Sequence, residues 1–247
     1  EDDQKWRALT VDIDELIKLN TTQLPLEKEV NSLPDFVQEC LDENFSEDTT
    51  GTIVVWNKCD RMTWKTDEAI RNNLGWRVSM SYWRNLKDGL TISVLGNLVK
   101  PIDPLFLDTA CEHVESCESS NVKAIEYETW LWPFKVSSEG EEKTINAEVR
   151  MSRFPPKFGS KDGQNPPVGR NSSIRQKILR EHNGLLFYRQ GRFIDCMRHI
   201  PSEAKKTRVF QTYDSNYKIE INFPSSLDES FGISTNKQYV NLPYKTL

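Results

Sequence analysis

The chain has 247 residues, enough for one large domain or two small ones with a real core. Hydrophobic residues make up 37% and charged residues 28%, and no apolar run nears the ~20 residues that span a bilayer, so composition predicts a globular chain with no membrane partner. The net charge of −5 is uneven: residues 1–50 hold 4 basic and 14 acidic residues, whereas 150–210 hold 14 basic and 4 acidic. That asymmetry leaves two readings open, a polyanion-binding face or two segments that neutralise one another.

Glycine usage narrows the nucleotide chemistry. The eleven glycines fall below the roughly 7% of an average protein, and the closest pair, Gly159 and Gly163, leaves no G-x-G anywhere. A Rossmann turn, a Walker A loop and a kinase glycine loop are excluded, since each brings bare backbone against a phosphate. Five cysteines (Cys40, Cys59, Cys111, Cys117, Cys196) are an odd number for a closed disulfide framework, so a reducing, cytoplasmic location is expected. The opening EDDQKW lacks the layout of a secretory signal, and Glu1 in place of methionine reads as the start of a fragment.

In chain order, Thr52 to Trp56 (TIVVW) is a β-branched apolar run suited to a buried strand. Thr66 is placed to cap a helix running through Leu86, with Ile70, Leu74, Val78 and Leu86 at helical spacing and Gly89 ending it. Leu90 to Leu95 reads as a strand turning at Gly96-Asn97. Val122 to Val136 and Thr144 to Met151 read as an antiparallel pair, the second alternating Ile145, Ala147, Val149 and Met151 with polar residues. Residues 152–173 carry four prolines and three glycines and read as one long loop with little to bury. Leu185 to Tyr188 and Phe193-Ile194 flank a tight Arg189-Gln190-Gly191-Arg192 turn, and Tyr217, Ile219, Ile221 and Phe223 alternate as a last strand. Strands predominate with a few helices, an α+β layout.

Several constellations point to no chemistry. Cys111-x-His113-x3-Cys117 offers three soft ligands, but not in a standard zinc spacing and with no fourth Cys or His nearby, so no metal site is assigned. His113, His182 and His199 form no nucleophilic triad, and His182 beside Glu181 reads as a surface pair. Trp130 and Trp132, spaced by two, read as core or interface residues.

Three strings in order go further: GTIVVWNKCDRM (51–62), HNGLLFYRQGRFID (182–195) and FGISTNKQYVNLP (231–243). Together they resemble the GHKL ATPases, the superfamily of gyrase, the heat-shock chaperone ATPase, histidine kinases and MutL. The likeness extends to bacterial histidine-kinase-like ATPases and to the microrchidia ATPases, which carry a similar N-K-Q element. The resemblance covers the chain from about Trp6 onward. It implies that Gly51 and Thr52 lie at the adenine edge of a nucleotide pocket, where a hydroxyl both donates and accepts. It implies that Lys237, between Asn236 and Gln238, reaches from a transducer domain to the γ-phosphate of ATP, where an ammonium offsets phosphate charge. Arg189 and Arg192, at the shoulders of the middle string's turn, are given no binding role.

The resemblance also implies a fold: a mixed or antiparallel sheet with helices on one face, in a transducer domain of the ribosomal-protein-like type. Residues 1–62 read as the C-terminal remnant of the nucleotide-binding domain, and 63–247 as the transducer with its loop at 152–173. The family's acid-asparagine helix, its Asp-x-Gly-x-Gly turn and its glycine-bearing lid have no counterpart; Asp14-Glu15 with Asn20 does not reproduce the helix spacing. ATP and Mg²⁺ are therefore expected in the complete protein, with none bound to this chain alone and no hydrolysis by it. The implied partners are an N-terminal nucleotide-binding region and a second copy, through dimerisation. The alternative is a non-enzymatic nucleic-acid-binding module built on Arg170, Arg175, Lys177, Arg180, Lys205, Lys206 and Arg208. A third reading is a surface for protein interaction only.

Overall fold

The computed structural model describes residues 6–44, 51–56, 59, 61–111, 113–114, 123–138, 141–155, 158, 174–200, 207–208, 210–233 and 239–242. The chain divides into two compact units, Glu1–Met62 and Thr63–Leu247. Among the described residues no helix is long and apolar enough to cross a membrane.

In the first unit, β1 (Trp6–Ala8) and β2 (Lys28–Val30) pair antiparallel. Between them lies α1 (Ile13–Leu19), and α2 (Asp35–Asn44) follows. Helix α1 starts at Asp12, whose carboxylate accepts from the Asp14 and Glu15 amides, and stops at Asn20 in the left-handed conformation. Among the unit's described residues only Val37 is buried. The strand expected at Thr52–Trp56 does not form: the segment carries no ladder, and Val54 and Trp56 are 73% and 83% exposed. An apolar strand is buried only by a paired neighbour and a covering layer, and β1 and β2 are paired with each other.

The second unit is built on a mixed sheet of β5 (Ile125–Glu126), β6 (Trp130–Ser138), β7 (Glu141–Arg153), β8 (Leu185–Arg189), β9 (Arg192–Met197) and β12 (Tyr217–Phe223). Strands β5 and β6 share one edge of β7. On its other edge come β12, β8 and β9 in turn. Strand β12 runs antiparallel to β7 and parallel to β8. Two-residue ladders, β3 (Ser93–Val94) with β4 (Asn97–Leu98) and β10 (His199–Ile200) with β11 (Thr207–Arg208), stand apart from it. The architecture is α+β.

Local chemistry explains where the elements depart from the sequence reading. Thr66 does cap the helix, its hydroxyl accepting from Ala69 N at 3.2 Å, but the expected single helix breaks at non-helical Tyr82 into α3 (Asp67–Ser81) and α4 (Trp83–Lys87). The first hairpin turns at Leu95-Gly96, both with positive φ, one residue earlier than expected. Asn97 donates its amide to Leu95 O (2.8 Å) and so caps the turn from beyond it. The expected strand from Val122 is split, because Ile125 opposes Arg153 whereas Trp130 opposes Val149. One extra residue is thus inserted against β7, a bulge. The turn Gln190-Gly191 has φ of 50° and 78°, the two-residue hairpin geometry that the RQGR string predicts.

Each sheet face carries a core. One side buries Phe134, Phe187, Ile221, Phe223 and, from the segment after β12, Leu227, Phe231, Val240 and Leu242. Phe231 is its hub, stacked on Phe223 at 4.0 Å and within 6.1 Å of Phe134, Phe187 and Trp132. The opposite side packs Leu186 and Tyr188 under α3, α4 and α5 (Ile174–Glu181), with Met80, Trp83 and Ile178 buried. The Tyr188 hydroxyl donates to Met80 O at 3.1 Å. The start of the expected long loop belongs to this core. Phe154 and Phe158 are fully buried, stacked at 4.0 Å and edge-on to Phe106. Aromatic burial of this size stabilises by about 1.5–3 kcal/mol per ring, which proline and glycine content does not reveal. Residues 156–157 and 159–173 lie outside the described residues.

Candidate functional site

The three strings fall in different places. Gly51 and Thr52 lie in the first unit, exposed and in no helix or strand. The middle string begins just after α5 and forms β8, the turn and Arg192–Asp195 of β9. Asn236, Lys237 and Gln238 lie outside the described residues, but both flanks of their segment are described.

Those flanks are pinned together. Asn241 N donates to Phe231 O at 3.2 Å, and the Phe231, Gly232 and Ile233 amides donate back to Leu227, Glu229 and Asp228 carbonyls at 2.9–3.0 Å. Gly232 has φ 59°, and a Cβ there would lie 2.1 Å from Asn241 O, so no side chain fits the pinch. Val240 and Leu242 are buried, and Val240 N donates to the Asp195 carboxylate at 3.2 Å. The two flanks thus meet at one point of the sheet core.

The middle string supplies that anchor. Arg189 grips Asp228 bidentately, Nε to Oδ1 at 2.6 Å and Nη2 to Oδ2 at 2.8 Å, which holds the Arg189 guanidinium above its ordinary pKa. Arg192 lies over the Tyr82 ring, 5.7 Å from its centroid. Both arginines are therefore engaged within the second unit. Asp195, which closes the middle string, and Asp228, just before the third, were given no role in the sequence reading; Asp228 is held by Arg189, 39 positions away, and Asp195 by Val240 N, 45 positions away. No local sequence signal pairs residues so far apart, and β8 lying beside β12 is what brings Arg189 to Asp228.

Beneath the helices, β12 carries buried charge. Lys218 and Glu220, which alternate with its apolar residues, are fully buried. Arg84 of α4 contacts Glu220 directly and Glu148 at 3.1 Å, and Arg150 stands 3.8 Å from Glu220. Burial pushes the Glu220 carboxyl up against the pull of Arg84. Lys218 donates to Ser215 O at 2.9 Å and lies 5.8 Å from the Phe154 ring centroid; burial, with Arg198 nearby, lowers it to about 7. His182, expected at the surface, is 8% exposed between Trp76 and Phe193. Burial, then Lys218 and Arg198, push it down to about 4, and its Nδ1 has no partner among the described residues. It is neutral at pH 7.

The remaining candidates divide. Cys111 is buried and its thiol is pushed up to about 12, chiefly by that burial; Cys117 lies outside the described residues. Trp132 packs into the Phe231 core, while Trp130 stacks on it from the exposed side at 6.0 Å. Among the basic candidates, Arg175 lies over Phe158, Lys177 over Trp76, and Arg180 pairs with Glu181 at 3.5 Å. Arg170, Lys205 and Lys206, and the side chain of Arg208, lie outside the described residues. The arrangement joins the described flanks, Phe231–Ile233 and Val240–Leu242, to each other beside a strand bonded on both edges. Compared with known proteins, the chain matches no family model, no curated protein and no solved structure.

Proposed function

We propose that this chain is the transducer part of a GHKL-type ATPase module, coupling nucleotide state to domain movement or dimerisation. In this reading residues 1–62 complete a nucleotide-binding domain whose acid-asparagine helix and glycine motifs come from another stretch of polypeptide. The observation that carries it is Thr52–Trp56, a strand-forming apolar run that has no partner strand among the described residues and exposes Val54, Val55 and Trp56. A run of that kind is settled by adding to a sheet edge. In the completed site Gly51 and Thr52 meet the adenine, Lys237 meets the γ-phosphate, flanked by Asn236 and Gln238, and Mg²⁺ is held by the supplied motifs. The pinned flanks at Gly232 and Asn241 pass any displacement of Lys237 to β12 and its neighbours.

The test is the coding sequence upstream of Glu1, joined to hydrolysis of radiolabelled ATP. The expected result is the missing motifs upstream, turnover by the joined protein, and a loss on the order of 100-fold in Lys237→Ala. Upstream sequence without those motifs overturns the reading, as does Lys237-dependent turnover by residues 1–247 alone.

A second reading, nucleic-acid binding without catalysis, is favoured by α5, where Arg180 stays 59% exposed and Lys177 lies beside the Trp76 ring. It requires log K for duplex DNA to fall by about 0.9 per neutralised phosphate as log salt rises. Salt-independent binding, or none at low salt, removes it.

A further inference from the structure

Among the described residues, the sheet face that carries Phe231 is covered at one end and exposed at the other. Three successive rungs of paired residues run towards the exposed end: Trp130, Val149 and Ile221, then Tyr127, Met151 and Ile219, then Ile125, Arg153 and Tyr217. Residues directly opposite one another share a face, so these side chains lie together on the Phe231 side. Val149 and Ile221 belong to the Phe231 core. Around and beyond them Trp130 is 57% exposed, Ile125 56%, and Tyr127 and Tyr217 37% and 36%.

The exposed rings are braced. Trp130 is stacked on Trp132 at 6.0 Å, and Trp132 packs into the core, so the outer ring is supported from behind. The Tyr127 amide donates to Met151 O at 3.0 Å, and the Arg153 guanidinium stands 5.7 Å from the centre of the Tyr217 ring. Strands lie about 4.8 Å apart and alternate residues about 7 Å apart along them, which puts Tyr127 one rung from Trp130 and about 12 Å from Tyr217. That is the scale on which an extended single strand sets out its bases. Charge is favourable without dominating. The chain turns basic here, with 14 basic against 4 acidic residues over 150–210. Arg150 serves the opposite face, 3.8 Å from Glu220 and 3.9 Å from Glu126, and Glu128 is exposed in the bulge between Tyr127 and Trp130. Stacking, more than ion pairing, sets the fit.

We propose that this half of the sheet face is a stacking platform for single-stranded nucleic acid, with bases laid on Trp130, Tyr127 and Tyr217 and a phosphate met by Arg153. DNA and RNA single strands share that chemistry. A duplex is the poorer occupant, because its bases are already stacked on one another, and an apolar protein surface would leave Arg153 unused. The inference does not rest on the α5 reading above: α5 packs on the opposite face of the sheet, so single-strand binding here and duplex binding there are separable.

The probes are fluorescein-labelled thymidine and uridine dodecamers, followed by anisotropy with the whole chain, and a DNA duplex of the same length. The expected result is saturable binding of a single strand with quenched tryptophan emission, and the duplex at least about tenfold weaker. Trp130→Ala and Tyr217→Ala each weaken binding about tenfold, the loss of one stacked base, while Tyr217→Phe retains it. Tyr217 lies on a different strand and keeps the proposal testable if Trp130→Ala fails to fold. Arg180→Ala on α5 leaves single-strand affinity unchanged and lowers duplex affinity alone if the second reading holds. Log K falls with log salt by about 0.7 for each phosphate met, and a slope worth more than about three phosphates would move the binding to the basic segment and overturn the proposal. No binding of either single strand at low salt, equal affinity for the duplex, or indifference to both Trp130→Ala and Tyr217→Ala also overturns it. So does a dimer that Trp130→Ala dissociates in sedimentation while neither dodecamer binds, which assigns the face to a second copy.

Discussion

The two units solve the burial problem in opposite ways. The second places a sheet between two cores and buries even the charged residues of its central strand. The first forms capped helices and a short ladder yet buries only Val37 among its described residues, leaving Leu26, Ile13, Ile17, Val54 and Trp56 exposed. Helix caps and strand propensity are local and operate in both, whereas a core needs surfaces that close on each other. The difference teaches that the second unit is stabilised from within, and that the first carries apolar surface suited to something outside it.

The sharpest way to break this comparison is to empty the aromatic hub. Phe231→Ala removes a fully buried ring that touches four other aromatics, and should destabilise the second unit by about 3–5 kcal/mol in urea titration. A loss below 1 kcal/mol would mean that this core is not what holds the unit. Gly232→Ala meets both a positive φ and the Asn241 carbonyl. It should destabilise by about 2–4 kcal/mol, and an amide spectrum unchanged around Asn241 would show the pinch to be unimportant.

A pH comparison reaches the helix-side core. Burial holds His182 at about 4 against an ordinary 6.5, so the unfolded chain takes up a proton that the folded one refuses. Its contribution to stability is complete above about 6.5 and shrinks as pH falls towards 4, by about 2 kcal/mol at pH 5. His182→Phe, facing Trp76 and Phe193 and relieved of Lys218 and Arg198, should flatten the melting temperature between pH 7 and 5. A variant as acid-sensitive as the parent would place that sensitivity elsewhere. The smallest effect belongs to the first unit. Trp56→Ser should alter stability by no more than about 0.5 kcal/mol, and a clear drop in melting temperature would show that Trp56 is covered in solution.

What could be read in advance follows the range of the forces. Thr66 announces its cap and Gln190-Gly191 its turn, because both act within four residues. The alternation of Ile219, Ile221 and Phe223 announces β12. The same alternation places Lys218 and Glu220 on a wet face; they are buried because α3, α4, α5 and Phe154 cover that side, and no period-two pattern encodes a second covering layer. Tertiary contact likewise decided Phe158 and His182, one hidden in a proline-rich string and the other beside a glutamate. Gly51, Thr52 and Lys237 are proposed as site residues on a resemblance alone. The residues that brace the described flanks, Asp195, Asp228 and Gly232, act through partners brought near by folding.

The position of β12 gives the pinch a mechanical meaning. The strand is laddered to β7 on one edge and β8 on the other, and the clamp at Arg189–Asp228 follows within a few residues. A force directed along β12 would load both of these ladders in shear, so the flanks at Gly232 and Asn241 are tied to a strand of the sheet that is held on both edges.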